Sequence, residues 1–265
     1  MTNPIAKKRF GQNFLIDLSV VQHIVKTIAP QAEDRIIEIG PGYGALTIAI
    51  LPLIQKMTVI ELDRDLIPLL TKQCETLGTL EIYQADALRF DFGRLYVKQP
   101  LRIIGNLPYN ISTPLLFHLF EYKSIIQDMH FMLQKEVVDR LTAETGSGTY
   151  NRLSVMAQYH CKTEFCFSVS PHAFKPVPKV ESAIVRLCPY QDNEHQTKNF
   201  PLFESIVRHA FMHRRKTLKN NLSTFANEAQ LKNLGIDPQS RAQNLSVKDY
   251  IALADGLSAT CTIPS

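Results

Sequence analysis

Apolar residues along this chain cluster in short continuous runs that alternate with stretches of helical spacing. Arg35-Ile36-Ile37-Glu38-Ile39, Thr58-Val59-Ile60, Leu80-Glu81-Ile82-Tyr83-Gln84 and Leu101-Arg102-Ile103-Ile104-Gly105 read as buried strands, several of them bounded by glycine or proline. Further strands are predicted over 128–133, 165–169 and 183–187, and helices over 17–28, 45–50, 66–77, 113–122 and 135–145. Strands alternating with helices predict an α/β domain with a parallel sheet, whose ligands sit beyond the strands' carboxyl ends. The last two strands follow each other closely, as an antiparallel pair at a sheet edge would.

The pattern changes after a polar, aperiodic stretch at 189–199, which reads as a linker. Beyond it only helical spacing remains, over 202–212, 217–225, 228–234 and 247–257. The expected division is an α/β domain over residues 1–190 and a small all-helical domain over 191–265.

Composition narrows the class. With 265 residues and 45% apolar content the chain can bury a sizeable core. The first ten residues carry Lys7, Lys8 and Arg9 but no apolar stretch of signal-peptide length, and the longest apolar run, 45–54, contains Pro52 and is too short to span a bilayer. A monomeric cytoplasmic protein without a membrane segment is expected. Five widely spaced cysteines argue against a disulfide framework, and no Cys-x-x-Cys pair supports a zinc site around His160, Cys161 and Cys166, so no metal is expected.

Net charge is +4, and residues 201–265 hold eight Lys/Arg against five Asp/Glu, so most of the excess lies in the last quarter. There the run from Arg208 to Lys219 has five basic residues and no acid. One account is a solvated helix face. The other makes Arg214, Arg215, Lys216 and Lys219 phosphate contacts for a nucleic acid, with Lys7, Lys8 and Arg9 adding to them.

Candidate chemistry lies at the ends of the predicted strands. The first runs into Gly40-Pro41-Gly42-Tyr43-Gly44 and then a helix, an arrangement in which backbone approaches a ligand closely at a helix N-terminus. Glu61 follows twenty-one positions after Gly40, the spacing at which an acid binds ribose hydroxyls. The third glycine comes one residue too early for a pyrophosphate-binding G-x-G-x-x-G, which disfavours a nicotinamide oxidoreductase and favours an adenosyl cofactor without phosphate. Asp86, at the next strand end, is placed to accept from an adenine amino group. Either acid alone reads as a solvated loop residue; their recurrence at successive strand ends favours the binding account.

Asn106-Leu107-Pro108-Tyr109 closes the fourth strand. An amino group on an aromatic base is a poor nucleophile because its lone pair is delocalised into the ring. Acceptors such as the Asn106 side-chain oxygen and nearby carbonyls favour the pyramidal form found on the way to the transition state. Pro108 fixes its own φ and holds Leu107 extended, which sets the Leu107 carbonyl direction in advance. Tyr109 offers a flat face on which a base can stack. The plainer account is a turn after a strand with a core tyrosine.

Phe10 to Leu15, Glu38 to Gly44, Glu61-Leu62-Asp63, Asp86-Ala87-Leu88, Asn106 to Tyr109 and Phe174-Lys175-Pro176-Val177-Pro178-Lys179-Val180 occur in the order of the ribosomal RNA adenine dimethyltransferase family, which the chain resembles from Ala6 to about Leu257. The resemblance implies a Rossmann-like seven-stranded methyltransferase domain that uses S-adenosylmethionine. It also implies that Asn13, Leu15, Gly40, Gly42, Glu61, Asp86 and Asn106 line the cofactor pocket, while Tyr109 and Phe174 sandwich a flipped adenine. The branch it is most similar to dimethylates two adjacent adenosines near the 3′ end of small-subunit ribosomal RNA, which makes that RNA, within an immature small subunit, the expected partner.

Phe174 has two accounts. It is either a core residue in a rigid connector or, with the prolines holding it, the second face of the base site; the second is preferred because Tyr109 supplies only one face. Related functions differ at identifiable points. A DNA adenine methyltransferase would need a larger recognition domain. Large-subunit methyltransferases of the antibiotic-resistance type share nearly every motif, and a non-catalytic assembly factor would not need the intact Asn106, Tyr109 and Gly40 motifs.

Overall fold

The computed structural model describes residues 12–191 and 196–258. Lys7, Lys8, Arg9 and Phe10, part of the linker and the segment after Ser258 lie outside the described residues. Following the chain, the elements are β1 (Phe14–Leu15), α1 (Leu18–Ile28), β2 (Arg35–Ile39), α2 (Ala45–Ile54), β3 (Lys56–Glu61), α3 (Ile67–Cys74), β4 (Thr79–Gln84), β5 (Leu101–Asn106), α4 (Ser112–Phe120), β6 (Ile126–Gln134), α5 (Lys135–Leu141), α6 (Arg152–His160), β7 (Cys161–Val169), β8 (Phe174–Lys175), β9 (Ser182–Pro189), α7 (Phe200–Ala210), α8 (Leu218–Asn221), α9 (Glu228–Asn233) and α10 (Val247–Leu257).

Seven strands form one sheet in the order β4-β3-β2-β5-β6-β9-β7. The pairs from β4 through β6 are parallel, and β9 runs antiparallel to β6. The expected closing pair of strands does lie at the edge, with β9 inserted between β6 and β7 so that β7 is outermost. Alternate residues of the central strands point to opposite faces, and both sets are buried. Ile36, Met57, Val59, Ile104, Met132 and Ile184 join a core cluster with Val21, Ile24 and Ile28 of α1 and Ile50, Leu51 and Ile54 of α2. Ile37, Ile39, Ile60 and Ile103 are buried on the other side. Burial on both faces is why these strands are near-continuous apolar runs.

A buried ion pair interrupts those runs near their amino ends. Arg102 of β5 is buried and donates to both carboxylate oxygens of Asp128 on β6 (2.9 and 3.0 Å), to Asp34 (2.5 Å) and to the Ile28 carbonyl (2.7 Å). A buried guanidinium satisfied on several sides ties the amino ends of these strands to the end of α1. The site lies at the opposite ends.

The chain leaves β2 toward β3 and β4 on one side and returns to β5 on the other. The carboxyl ends of β2 and β5 therefore border the crevice where the order of strands reverses, the usual ligand position in such sheets.

Where a single division is expected at residues 190/191, the chain passes between two compact units three times. One compact unit ends at Val138 and resumes with Glu164–Pro189; the other comprises Asp139–Thr163 together with the described residues from Tyr190 onward. Residues 139–163 belong with the helical unit because their partners are there: Tyr159 packs on Phe203 with ring centroids 4.4 Å apart, and Arg152 pairs with Glu204 at 3.2 Å. No helix among the described residues is long and apolar enough to cross a membrane.

Candidate active site

A cavity of about 350 Å³ opens at the switch point, within the size range of small-molecule sites. Asn13, Leu15, Gly40, Gly42, Glu61, Asp86, Asn106, Leu107, Pro108 and Tyr109, all expected from sequence, line it. Gln12, Phe14, Glu38 and Tyr43 line it as well.

The glycine loop forms one wall. Gly40 has φ +66°, and a Cβ added there would meet nothing within 4 Å, so its missing side chain leaves open space facing the cavity. Glu61, at the end of β3, accepts from the Gly42 N–H at 3.2 Å through Oε2 and from the Asp63 N–H at 2.7 Å through Oε1. A carboxylate has about four acceptor positions, so this orients the group and leaves capacity for two hydroxyl donors. Burial raises the Glu61 pKa. Gln12 donates to Asp63 at 3.2 Å and joins the same network. Asp86 accepts the Leu88 N–H at 3.0 Å through Oδ1, which orients it through a local turn.

The second half of the site is the end of β5. Gly105 is needed there because a Cβ would stand 2.7 Å from the Ile39 carbonyl oxygen. The Leu107 N–H bonds to the Met132 carbonyl at 3.2 Å, and the Leu107 side chain is buried, so the motif is anchored to β6. The Asn106 side-chain nitrogen donates to the Asn13 carbonyl at 2.9 Å. A carbonyl can only accept, so the Asn106 atom facing it must be the amide nitrogen, and Oδ1 is the end directed elsewhere. Tyr109 is half-buried, and its hydroxyl lies 3.0 Å from the Ser182 hydroxyl.

Phe174 is not brought to the cavity. Leu15 of β1 pairs with Phe174 of β8, and Phe14 pairs with Lys175. Because side chains alternate along a strand, the pairing that exposes Lys175 turns Phe174 inward, where it is 2% exposed within the core cluster. Of the two accounts of this residue, the structure realises the core one.

A model of the family "Ribosomal RNA adenine dimethylase" matches residues 4–258. The chain belongs to the ribosomal RNA adenine dimethylase family. It is 51% identical over 255 residues to the ribosomal RNA small subunit methyltransferase A of Marinobacter nauticus, spanning 96% of this chain and 92% of that protein. Among solved structures it is similar to a dimethyladenosine transferase from Plasmodium falciparum, with a TM-score of 0.79 at 27% identity over 91% of this chain and 95% of that one. It is also similar to the 23S rRNA methyltransferase ErmE, with a TM-score of 0.75 at 25% identity over 93% and 100%. These likenesses agree with the seven-stranded Rossmann-like fold.

Two features of this adenine dimethylase site carry little signal in the sequence. Glu38, one residue from the carboxyl end of β2, is buried and accepts a 2.5 Å hydrogen bond from the Thr47 hydroxyl. Burial raises its pKa to about 7, the Thr47 bond opposes the shift, and the charge of Glu61 adds to it. The only mark of Glu38 in the sequence is that of a lone acid inside an apolar strand. Ser182, which reaches Tyr109, lies just outside the strand predicted over 183–187, and nothing in the sequence marks it.

The basic run falls in the helical unit. The Arg214 guanidinium donates to the Gly148 carbonyl at 2.8 Å, and Lys219 pairs with Glu228 at 3.1 Å. Arg215 and Lys216 are exposed.

Proposed function

We propose that this adenine dimethylase uses S-adenosylmethionine to dimethylate the 6-amino groups of two adjacent adenosines near the 3′ end of small-subunit ribosomal RNA, with an immature small subunit as the physiological substrate. The preference for the small-subunit RNA draws support from 51% identity to a small-subunit enzyme against 25% to the 23S rRNA enzyme.

The residues present suit an adenosyl donor. Glu61 would accept from its ribose hydroxyls and Asp86 from its adenine amino group, the Gly40 loop admits close approach, and Asn13 and Leu15 line the same cavity. Two buried carboxyl groups, Glu38 and Glu61, also suit a ligand that carries positive charge. When bound, the donor supplies a methyl group made electrophilic by its sulfonium.

The acceptor half follows from one observation, the orientation of Asn106. With its nitrogen committed to the Asn13 carbonyl, its oxygen is the group that accepts an N–H of the target amine. Accepting that hydrogen favours localisation of the nitrogen lone pair, an interaction stronger in the transition state than in the ground state. The Leu107 carbonyl, on a backbone held by Met132, is the candidate second acceptor. Tyr109 supplies the stacking face, which holds the base in position and contributes rate through proximity. Arg215 and Lys216 are the most available of the basic residues for phosphate contacts, since Arg214 and Lys219 already engage protein oxygens.

The test is single-turnover methyl transfer with labelled donor and either naked RNA or immature small subunits, with modified nucleosides mapped by mass spectrometry. Asn106→Ala is expected to slow transfer by about 10²–10³ while RNA binding survives. Transfer at the wild-type rate would refute the acceptor role.

A further inference from the structure

The Ser182 hydroxyl is 3.0 Å from the Tyr109 hydroxyl, and Ser182 is 1% exposed. It opens β9, where its position is fixed on two counts: it pairs with Gln134 of β6, and the neighbouring Glu181 carbonyl accepts the Lys135 N–H at 2.9 Å. Tyr109, by contrast, sits in the turn between the end of β5 and the start of α4. A tyrosine in a turn has two side-chain torsions free to move its ring. A tether at the far end of the ring fixes the first torsion, the direction in which the ring projects, and because a phenol's O–H lies in the plane of its ring, the bond to Ser182 also disfavours rotation of that plane about the second.

We infer that Ser182 is a positioning residue for the methylation reaction: its buried hydroxyl holds the ring of Tyr109 in the plane on which the target base stacks. The inference rests on the reading of Tyr109 as the stacking face and assigns a role to a strand that contributes no residue to the cavity wall. Base capture follows docking of the RNA and is an intramolecular step. A loosened ring therefore lowers the rate of transfer from the docked complex and leaves RNA affinity almost unchanged. A residue that served only the fold would lower the melting temperature without this selective loss of rate.

The experiment measures single-turnover transfer at saturating donor and RNA, RNA affinity and melting temperature for wild type, Ser182→Ala, Tyr109→Phe and the double variant. Each single change is expected to slow transfer about three- to tenfold, the range of one net hydrogen bond, with RNA affinity within about twofold of wild type. Because both remove the same bond, the double variant should be no slower than the slower single variant. If Ser182→Ala transfers at the wild-type rate, or if the two losses multiply, the inference is overturned. Should Ser182→Ala fail to fold, Tyr109→Phe decides alone, since it keeps the ring and loses only the hydroxyl, and an undiminished rate there overturns the inference. A wild type that methylates no RNA would instead refute the proposed function.

Discussion

Replacing Gly105 by alanine probes how closely the two halves of the site are pressed together. The added Cβ would lie 2.7 Å from the Ile39 carbonyl oxygen and 3.0 Å from Leu107 Cδ2, whereas ordinary contact begins at 3.4 Å, so about 0.7 Å must be found between β2 and β5. Neither side yields cheaply. The next residue after Ile39 is Gly40, whose N–H bonds to the Ile60 carbonyl at 2.9 Å, and the Leu107 N–H is held by Met132. Overpacking of this kind costs roughly 1–3 kcal/mol. For a chain of this size that corresponds to a fall of about 2–6 °C in melting temperature. The displaced groups are the glycine loop and the Asn106 motif themselves, and misplacement approaching 1 Å at reacting groups costs up to about 10²-fold in rate. Thermal melting followed by circular dichroism, with single-turnover methyl transfer well below the transition, reads both effects. A variant with the melting temperature and rate of wild type would show that β2 and β5 do not abut as described.

Gly40→Ala poses the opposite case, because its Cβ enters open space at φ +66°. We expect a modest stability loss of about 1–2 kcal/mol from the left-handed backbone and a larger relative loss of donor affinity, measured by calorimetric titration; unchanged affinity would place the ligand elsewhere. Glu38 has a folded-state pKa raised to about 7 from 4.5, so the stability it contributes is fully present below pH 4.5 and is lost as pH rises through 7. Glu38→Gln should gain on wild type by about 3 kcal/mol between those limits, read from denaturant unfolding across pH, and a constant difference between the two proteins would refute the burial account. The double change of Arg215 and Lys216 to alanine should weaken RNA binding and reduce its log–log salt slope by about 1.5–2 without altering donor affinity, whereas an unchanged slope would return the run to a solvated face.

The central strands and the motifs at their ends were readable because burial on both faces leaves continuous apolar runs, and because parallel strands present their carboxyl ends on one side. What escaped was set by pairing distant in sequence. β1 and β8 have two residues each and exist only through each other, so nothing local announces them, and the inward turn of Phe174 follows from that pairing. Arg102 and Asp128 neutralise one another across 26 positions, so the charge inside an apolar run gave no warning of its function. The helix α6 has little amphipathic contrast, being buried at most positions, so no periodicity in the sequence marks it as an element.

The interleaved course of the chain has a consequence for modularity. Because Asp139–Thr163 belongs with the C-terminal helices, the polar stretch near residue 191 marks only one of three seams. A chain ended at Pro189 would keep Tyr150 and Tyr159 while discarding Phe211 and Phe203, the aromatic neighbours on which they pack, and would leave bare rings prone to aggregation. Exchange of this helical part between relatives therefore demands three simultaneous junctions, a requirement that discourages recombination and favours inheritance of both parts as a single piece.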